Sequence, residues 1–68
     1  MTKVDARGLS CPEPVILIRK AMMSKADSYE MTVDNPTSRE NVTRYAEHQG
    51  YQVSVREVNG EYILNITK

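Results

Sequence analysis

The stretch Tyr51-Gln52-Val53-Ser54-Val55-Arg56-Glu57-Val58-Asn59-Gly60-Glu61-Tyr62-Ile63-Leu64-Asn65-Ile66-Thr67 decides the fold. Tyr51 to Val58 alternates between apolar and polar residues, and Glu61 to Thr67 does so again. Between them, Asn59-Gly60 is the strongest short hairpin signal, because both central residues of such a turn need positive φ. A two-residue turn pairs Val58 with Glu61, Val55 with Leu64 and Val53 with Ile66. Those apolar pairs share one face while Ser54 opposes Asn65 on the other, so the register is self-consistent. A ribbon that is apolar on one side needs a second layer to cover that side.

The residues before the ribbon supply that layer. Gly50 stands where a helix C′ glycine belongs, Asn35-Pro36 offers an N-cap and a first-turn proline, and Val42, Tyr45 and Ala46 form an i, i+3, i+4 stripe. The spacing predicts a helix from about Pro36 to Gln49. Tyr29 to Asp34 alternates with Tyr29, Met31 and Val33 on one face, which reads as a half-buried strand. Ser24 to Ser28 breaks the pattern. From Pro14 to Met23 the residues Val15, Leu17, Ile18, Ala21 and Met22 cover a broad arc opposite Arg19 and Lys20, as an amphipathic helix does. Lys3 to Ala6 is a short strand with Val4 and Ala6 on one face, and Arg7-Gly8 is a turn that the glycine permits. The expected fold is α+β: a two-layer βαβαββ sandwich, with two helices on one face of a mixed four-stranded sheet and the other face in water. Residues 1–68 are expected to form a single domain.

The chain has 68 residues with nine basic and nine acidic side chains, one cysteine and one histidine. Zero net charge without a basic run argues against direct nucleic-acid binding. No apolar stretch approaches the ~20 residues that span a bilayer, and Met1 to Asp5 lacks a signal-peptide core. One cysteine forms no internal disulfide, and one histidine beside it does not complete a zinc site, so no metal and no cofactor are expected. A lone thiol fits a reducing cytoplasm.

That thiol is Cys11, set between the Arg7-Gly8 turn and a helix start marked by Pro12 and Pro14. With Cys11 as N-cap, Pro12 occupies N1 and Pro14 N3, so two of the usual unpaired N–H donors are missing and the Glu13 N–H becomes the local donor to sulfur. The lost donors and the Glu13 carboxylate oppose a thiolate, whereas the helix dipole and Arg7 favour one. The expected thiol is moderately more acidic than free cysteine. A residue before proline avoids the helical region, so Cys11 and Glu13 are both expected to be extended. His48 falls at the end of the other helix, which argues against a self-contained Cys–His hydrolase. Beside this stands the reading of Cys11 as an inert small core residue.

The pattern Asp5-x-Arg7-Gly8-Leu9-x-Cys11-Pro12-x-Pro14 resembles the signature of the TusA/SirA-like sulfur-carrier family. The βαβαββ order is that family's fold, shared with the C-terminal domain of the third translation initiation factor. The resemblance implies that Cys11 accepts sulfane sulfur as a persulfide from a donor protein such as a cysteine desulfurase and passes it to an acceptor protein. It also implies that Pro12 and Pro14 shape the helix start and that Asp5, Arg7 and Gly8 build the approach. Val33-Asp34-Asn35-Pro36, with Arg39-Glu40-Asn41-Val42-x-Arg44-Tyr45-Ala46 and Gln49-Gly50-Tyr51, resembles the TusA-like N-terminal domain of YedF-type proteins linked to selenium metabolism. Their usual second domain is not in this sequence, so an excised domain, a stand-alone relative and a plain carrier for tRNA thiolation all stay open. The absence of a resolving cysteine suits a carrier, since a persulfide then has no internal thiol to attack it.

Other residues are weighed in the same way. Ile16 and Met23, seven apart and flanked by Arg19 and Lys20, lie off the main apolar arc and form a candidate partner-docking strip. Ordinary edge packing is the alternative for that strip. His48 reads as a solvated last-turn residue, and Tyr45, Tyr51 and Tyr62 as core or core rim. Ser54, Arg56, Ile63 and Asn65 form the open sheet face, too poor in basic and aromatic residues for an RNA platform. Two other functions stand beside the carrier: a redox-sensing thiol, and a non-catalytic regulatory or binding module. A monomer or weak dimer is expected.

Overall fold

The computed structural model describes residues 2–9 and 12–68. In chain order the elements are β1 (Thr2–Asp5), α1 (Glu13–Met22), β2 (Ser28–Val33), α2 (Pro36–His48), β3 (Gln52–Val58) and β4 (Glu61–Thr67). The sheet runs β1-β2-β4-β3. β1 and β2 are parallel, and β4 is antiparallel to both of its neighbours. The sheet is therefore mixed, as expected, with the hairpin's second strand inserted between β2 and β3.

The hairpin register is the one the alternation dictates. Val58 faces Glu61, Val55 faces Leu64 and Val53 faces Ile66. Asn59 and Gly60 both have positive φ, 52° and 80°, which lets a two-residue turn follow the strand twist. β2 extends the same face, with Tyr29 opposite Ile66 and Met31 opposite Leu64. These four side chains are fully buried, together with Ala6, Ile18, Val33, Val42 and Ala46. Each fully buried valine, leucine, isoleucine or methionine among them contributes about 1.5–3 kcal/mol. Tyr29 satisfies its hydroxyl by accepting from the Ala26 N–H at 3.1 Å, and its ring meets Tyr51 edge-on at 5.8 Å.

The second helix begins as expected. Asn35 is extended at the N-cap, its side-chain oxygen accepts from the Ser38 N–H at 2.8 Å, and Pro36 follows. The first helix corrects the expectation. Its N-cap is Pro12, because the Pro12 carbonyl accepts the first helical bond, from the Ile16 N–H at 3.1 Å. Pro14 therefore sits one position nearer the helix start than expected, and Glu13 is helical, where it had been expected to be extended. A first-turn proline is tolerated because that turn needs no N–H donor there. The expected N-cap, Cys11, lies outside the described residues.

Several boundaries also differ by a residue: β2 spans Ser28–Val33, α2 ends at His48 and β3 starts at Gln52. β1 starts at Thr2, although the Ala6 N–H still bonds to the Thr32 carbonyl at 2.9 Å. α1 ends at Met22, with Met23 as a cap that keeps helical dihedrals. Helix cover is incomplete over β3: Val55, on the helix-covered face, is 43% exposed, whereas its ladder partner Leu64 is buried. Edge position is the reason, since β3 is the last strand of the sheet and has a neighbour, β4, on one side only.

Candidate functional site

The path from β1 to α1 is pinned by side chains on both flanks. Asp5, the last residue of β1, accepts from the Arg7 backbone N–H at 3.0 Å. Its two oxygens also take the Arg7 Nε and Nη2 at 3.0 and 2.9 Å, a two-pronged carboxylate–guanidinium pair. Arg7 holds the Asp5 carboxyl down to about 2, first through the side-chain bond and then through the backbone one, and Asp5 in turn raises the Arg7 guanidinium. A second carboxylate, Glu61 at the start of β4, stands 3.6 Å from Arg7 Nη1. The Arg7 charge is thus already matched on its own side.

Gly8 follows with φ +78°, and the Leu9 N–H reaches back to the Ala6 carbonyl at 3.4 Å. This closes a four-residue turn that requires positive φ at its third position. The Gly8 N–H donates to Asp34 Oδ2 at 2.7 Å, across to the junction of β2 and α2. Asn35 Nδ2 donates to the other Asp34 oxygen at 3.2 Å. These donors, the Gly8 N–H foremost, lower the Asp34 carboxyl. Sequence reading placed Asp34 at the end of a strand and within the Val33-Asp34-Asn35-Pro36 stretch, and missed this tether. Its one signal was an acidic residue directly before the Asn35-Pro36 helix start.

Leu9 packs against the core, and the chain re-enters the described region at Pro12. Pro12 and Glu13 are exposed, whereas Pro14 is fully buried. Pro14 is thus a core residue as well as a helix starter. Pro14, in the first turn of α1, has no N–H, so this helix start offers fewer main-chain donors than an ordinary one. Cys11 itself lies outside the described residues. Its described neighbours, Leu9 and Pro12, bracket its place in the chain.

Helix packing adds a feature that spacing did not announce. A groove of about 400 Å³ opens between the start of α1 and the outer side of α2, lined by Pro12, Val15, Asn41, Arg44, Tyr45 and His48. His48 is exposed, as expected, but shares a groove with Pro12. On α1, Ile16 is 38% and Met23 77% exposed, with Arg19 and Lys20 exposed beside them, so the four do lie on the outer side. A larger dish of about 480 Å³ at the far end holds Met22, Lys25, Asp27, Tyr51 and Lys68, with no predicted site residue. Lys68 Nζ lies 5.1 Å above the Tyr51 ring there, and burial, followed by Tyr29, raises the Tyr51 hydroxyl. Tyr62 carries Arg39 over its ring at 4.7 Å. Among the described residues no helix is long and apolar enough to cross a membrane.

A sequence model of the TusA sulfurtransferase family matches residues 2–68. A candidate sulfur carrier protein of Methanocaldococcus jannaschii is 36% identical over 59 residues, covering 84% of this chain and 79% of its own. The crystal structure of a SirA-like protein from Desulfitobacterium hafniense superposes with a TM-score of 0.89 at 35% identity. That match covers 98% of this chain and 96% of the other.

Proposed function

Because this chain belongs to the TusA sulfurtransferase family, we propose that it is a cytoplasmic sulfur carrier whose Cys11 holds the sulfur as a persulfide. In the transfer step the Cys11 thiolate attacks the outer sulfur of a donor protein's cysteine persulfide. The donor's S–S bond breaks, its electron pair leaves on the donor thiolate, and a new S–S bond forms on Cys11. The step is an exchange with no net oxidation, and delivery to an acceptor thiol repeats it in the opposite sense.

The observation that carries this reading is the single cysteine, placed between a tethered turn and a helix start within a family match that spans the chain. Asp5 and Arg7 stiffen the approach and Asp34 anchors Gly8, while Pro12, Glu13 and Pro14 set where the helix begins. With an already paired Arg7, activation of the thiol rests mainly on the helix dipole. Ile16, Arg19, Lys20 and Met23 form the docking strip for the protein donor and acceptor. The acceptor decides whether the sulfur serves tRNA thiolation, sulfur metabolism or, as the YedF-like second half suggests, selenium metabolism.

Intact mass spectrometry after incubation with a cysteine desulfurase and cysteine tests this. The expected product is heavier by about 32 Da, one sulfur atom, reverts on reduction and is absent in Cys11→Ser. The double variant Ile16→Glu, Met23→Glu is expected to take up sulfur at least several-fold more slowly. Absence of the adduct overturns the carrier reading, and undiminished uptake by the double variant overturns the strip. Sulfenic acid at Cys11 after mild peroxide, without any sulfur uptake, is the result that a redox sensor gives.

A further inference from the structure

β3 is an open edge of the sheet, and its register specifies which main-chain groups are left over. Flanking residues of a two-residue hairpin form a hydrogen-bonded pair, and such pairs alternate along an antiparallel ladder. From the Val58–Glu61 pair, Val58, Arg56, Ser54 and Gln52 direct their N–H and C=O groups to β4. Val53, Val55 and Glu57 direct theirs outward. On the same residues the Val55 side chain remains 43% exposed.

The opposite edge is guarded. β1 has only four residues and carries Lys3 and the Asp5–Arg7 pair, features that discourage strand addition. β3 is longer, with seven residues and no proline, and its two charges, Arg56 and Glu57, are of opposite sign.

We infer that β3 pairs with β3 of a second copy of this chain, antiparallel about a two-fold axis at Val55, which continues the sheet into a neighbouring molecule. Symmetry leaves few registers. Centred on Val55, Val55 faces its own counterpart and Val53 faces Glu57, so every outward N–H and C=O on both edges finds a partner. Arg56 then faces Ser54, no like charges meet, and the two Val55 side chains cover each other. Centring on Ser54 sets Glu57 against Tyr51, whose N–H is already committed to the Ala46 carbonyl at 3.0 Å. Centring on Arg56 opposes two guanidinium groups. The pairing uses the β3 main chain and Val55, none of them assigned to the proposed sulfur site, so it is tested independently of that site.

Sedimentation velocity under reducing conditions, from about 10 µM to about 1 mM, covers the range expected of so small an interface. A concentration-dependent shift from monomer to dimer is expected. Val55→Lys is expected to weaken dimerisation at least tenfold, and so is Val55→Pro, which deletes an outward N–H without touching the β4 ladder. Circular dichroism checks that both variants fold. In a Cys11→Ser background, Val55→Cys is expected to form an intermolecular disulfide, since facing Cα atoms in this register stand about 5.5 Å apart. A protein that stays monomeric throughout, or a dimer as strong in folded Val55→Lys, overturns the inference.

Discussion

Arg7 illustrates how a residue's role changes once its partners are known. In the sequence it is a cation near a thiol, whereas in the fold its guanidinium is gripped by Asp5 and approached by Glu61. The consequence is an acid dependence. The Asp5 carboxyl is held at about 2 in the folded chain, below the value of about 3.9 of an unfolded aspartate. Its contribution to stability is therefore complete above that unfolded value and is lost as pH falls through the folded one. Thermal melts followed by circular dichroism are expected to fall between pH ~4 and pH ~2, less steeply in Asp5→Asn and less steeply in high salt, because the pair is exposed. Cys11, Pro12 and Pro14 were legible as a motif, since composition and order suffice to notice a lone thiol before two prolines. The burial of Pro14 was not legible, because it depends on how α1 lies on the sheet.

Between elements, the informative contact is the one from Asp34 to Gly8. It joins the turn after β1 to the junction after β2, so the two β–α connections behave as one unit. Hydrogen exchange at the Gly8 N–H reads this directly. Asp34→Ala is expected to speed it several-fold, while Asp34→Asn, which keeps an acceptor oxygen, is expected to restore much of the protection. Equal exchange in all three proteins would show that the tether does not hold in solution. Element types were readable throughout, because the hairpin, the Asn35 cap and the apolar stripes are each local in sequence. The start of α1 shifted by one residue for an equally local reason: a proline can close the first helical turn with its carbonyl although it has no N–H to give.

Across the whole molecule, the ladder pair Val55 and Leu64 separates pattern from burial, since both occupy the same face of the same hairpin. Leu64 lies under the helices and Val55 at the rim. Leu64→Ala is expected to lower stability by about 2–5 kcal/mol in urea unfolding, a large share of what so small a domain has. Val55→Ala is expected to cost well under half of that, measured on dilute monomer. The sequence by itself determined the element order, the hairpin register, the apolar face and the motif around Cys11, because each follows from neighbours along the chain or from a period of two or 3.6. Only the tertiary structure decided the pairing of Arg7, the Asp34 tether, the groove beside Pro12 and the bare edge at Val55. Those depend on distances between residues far apart in sequence, and such distances are set when two helices too few to cover four strands settle on one face of the sheet.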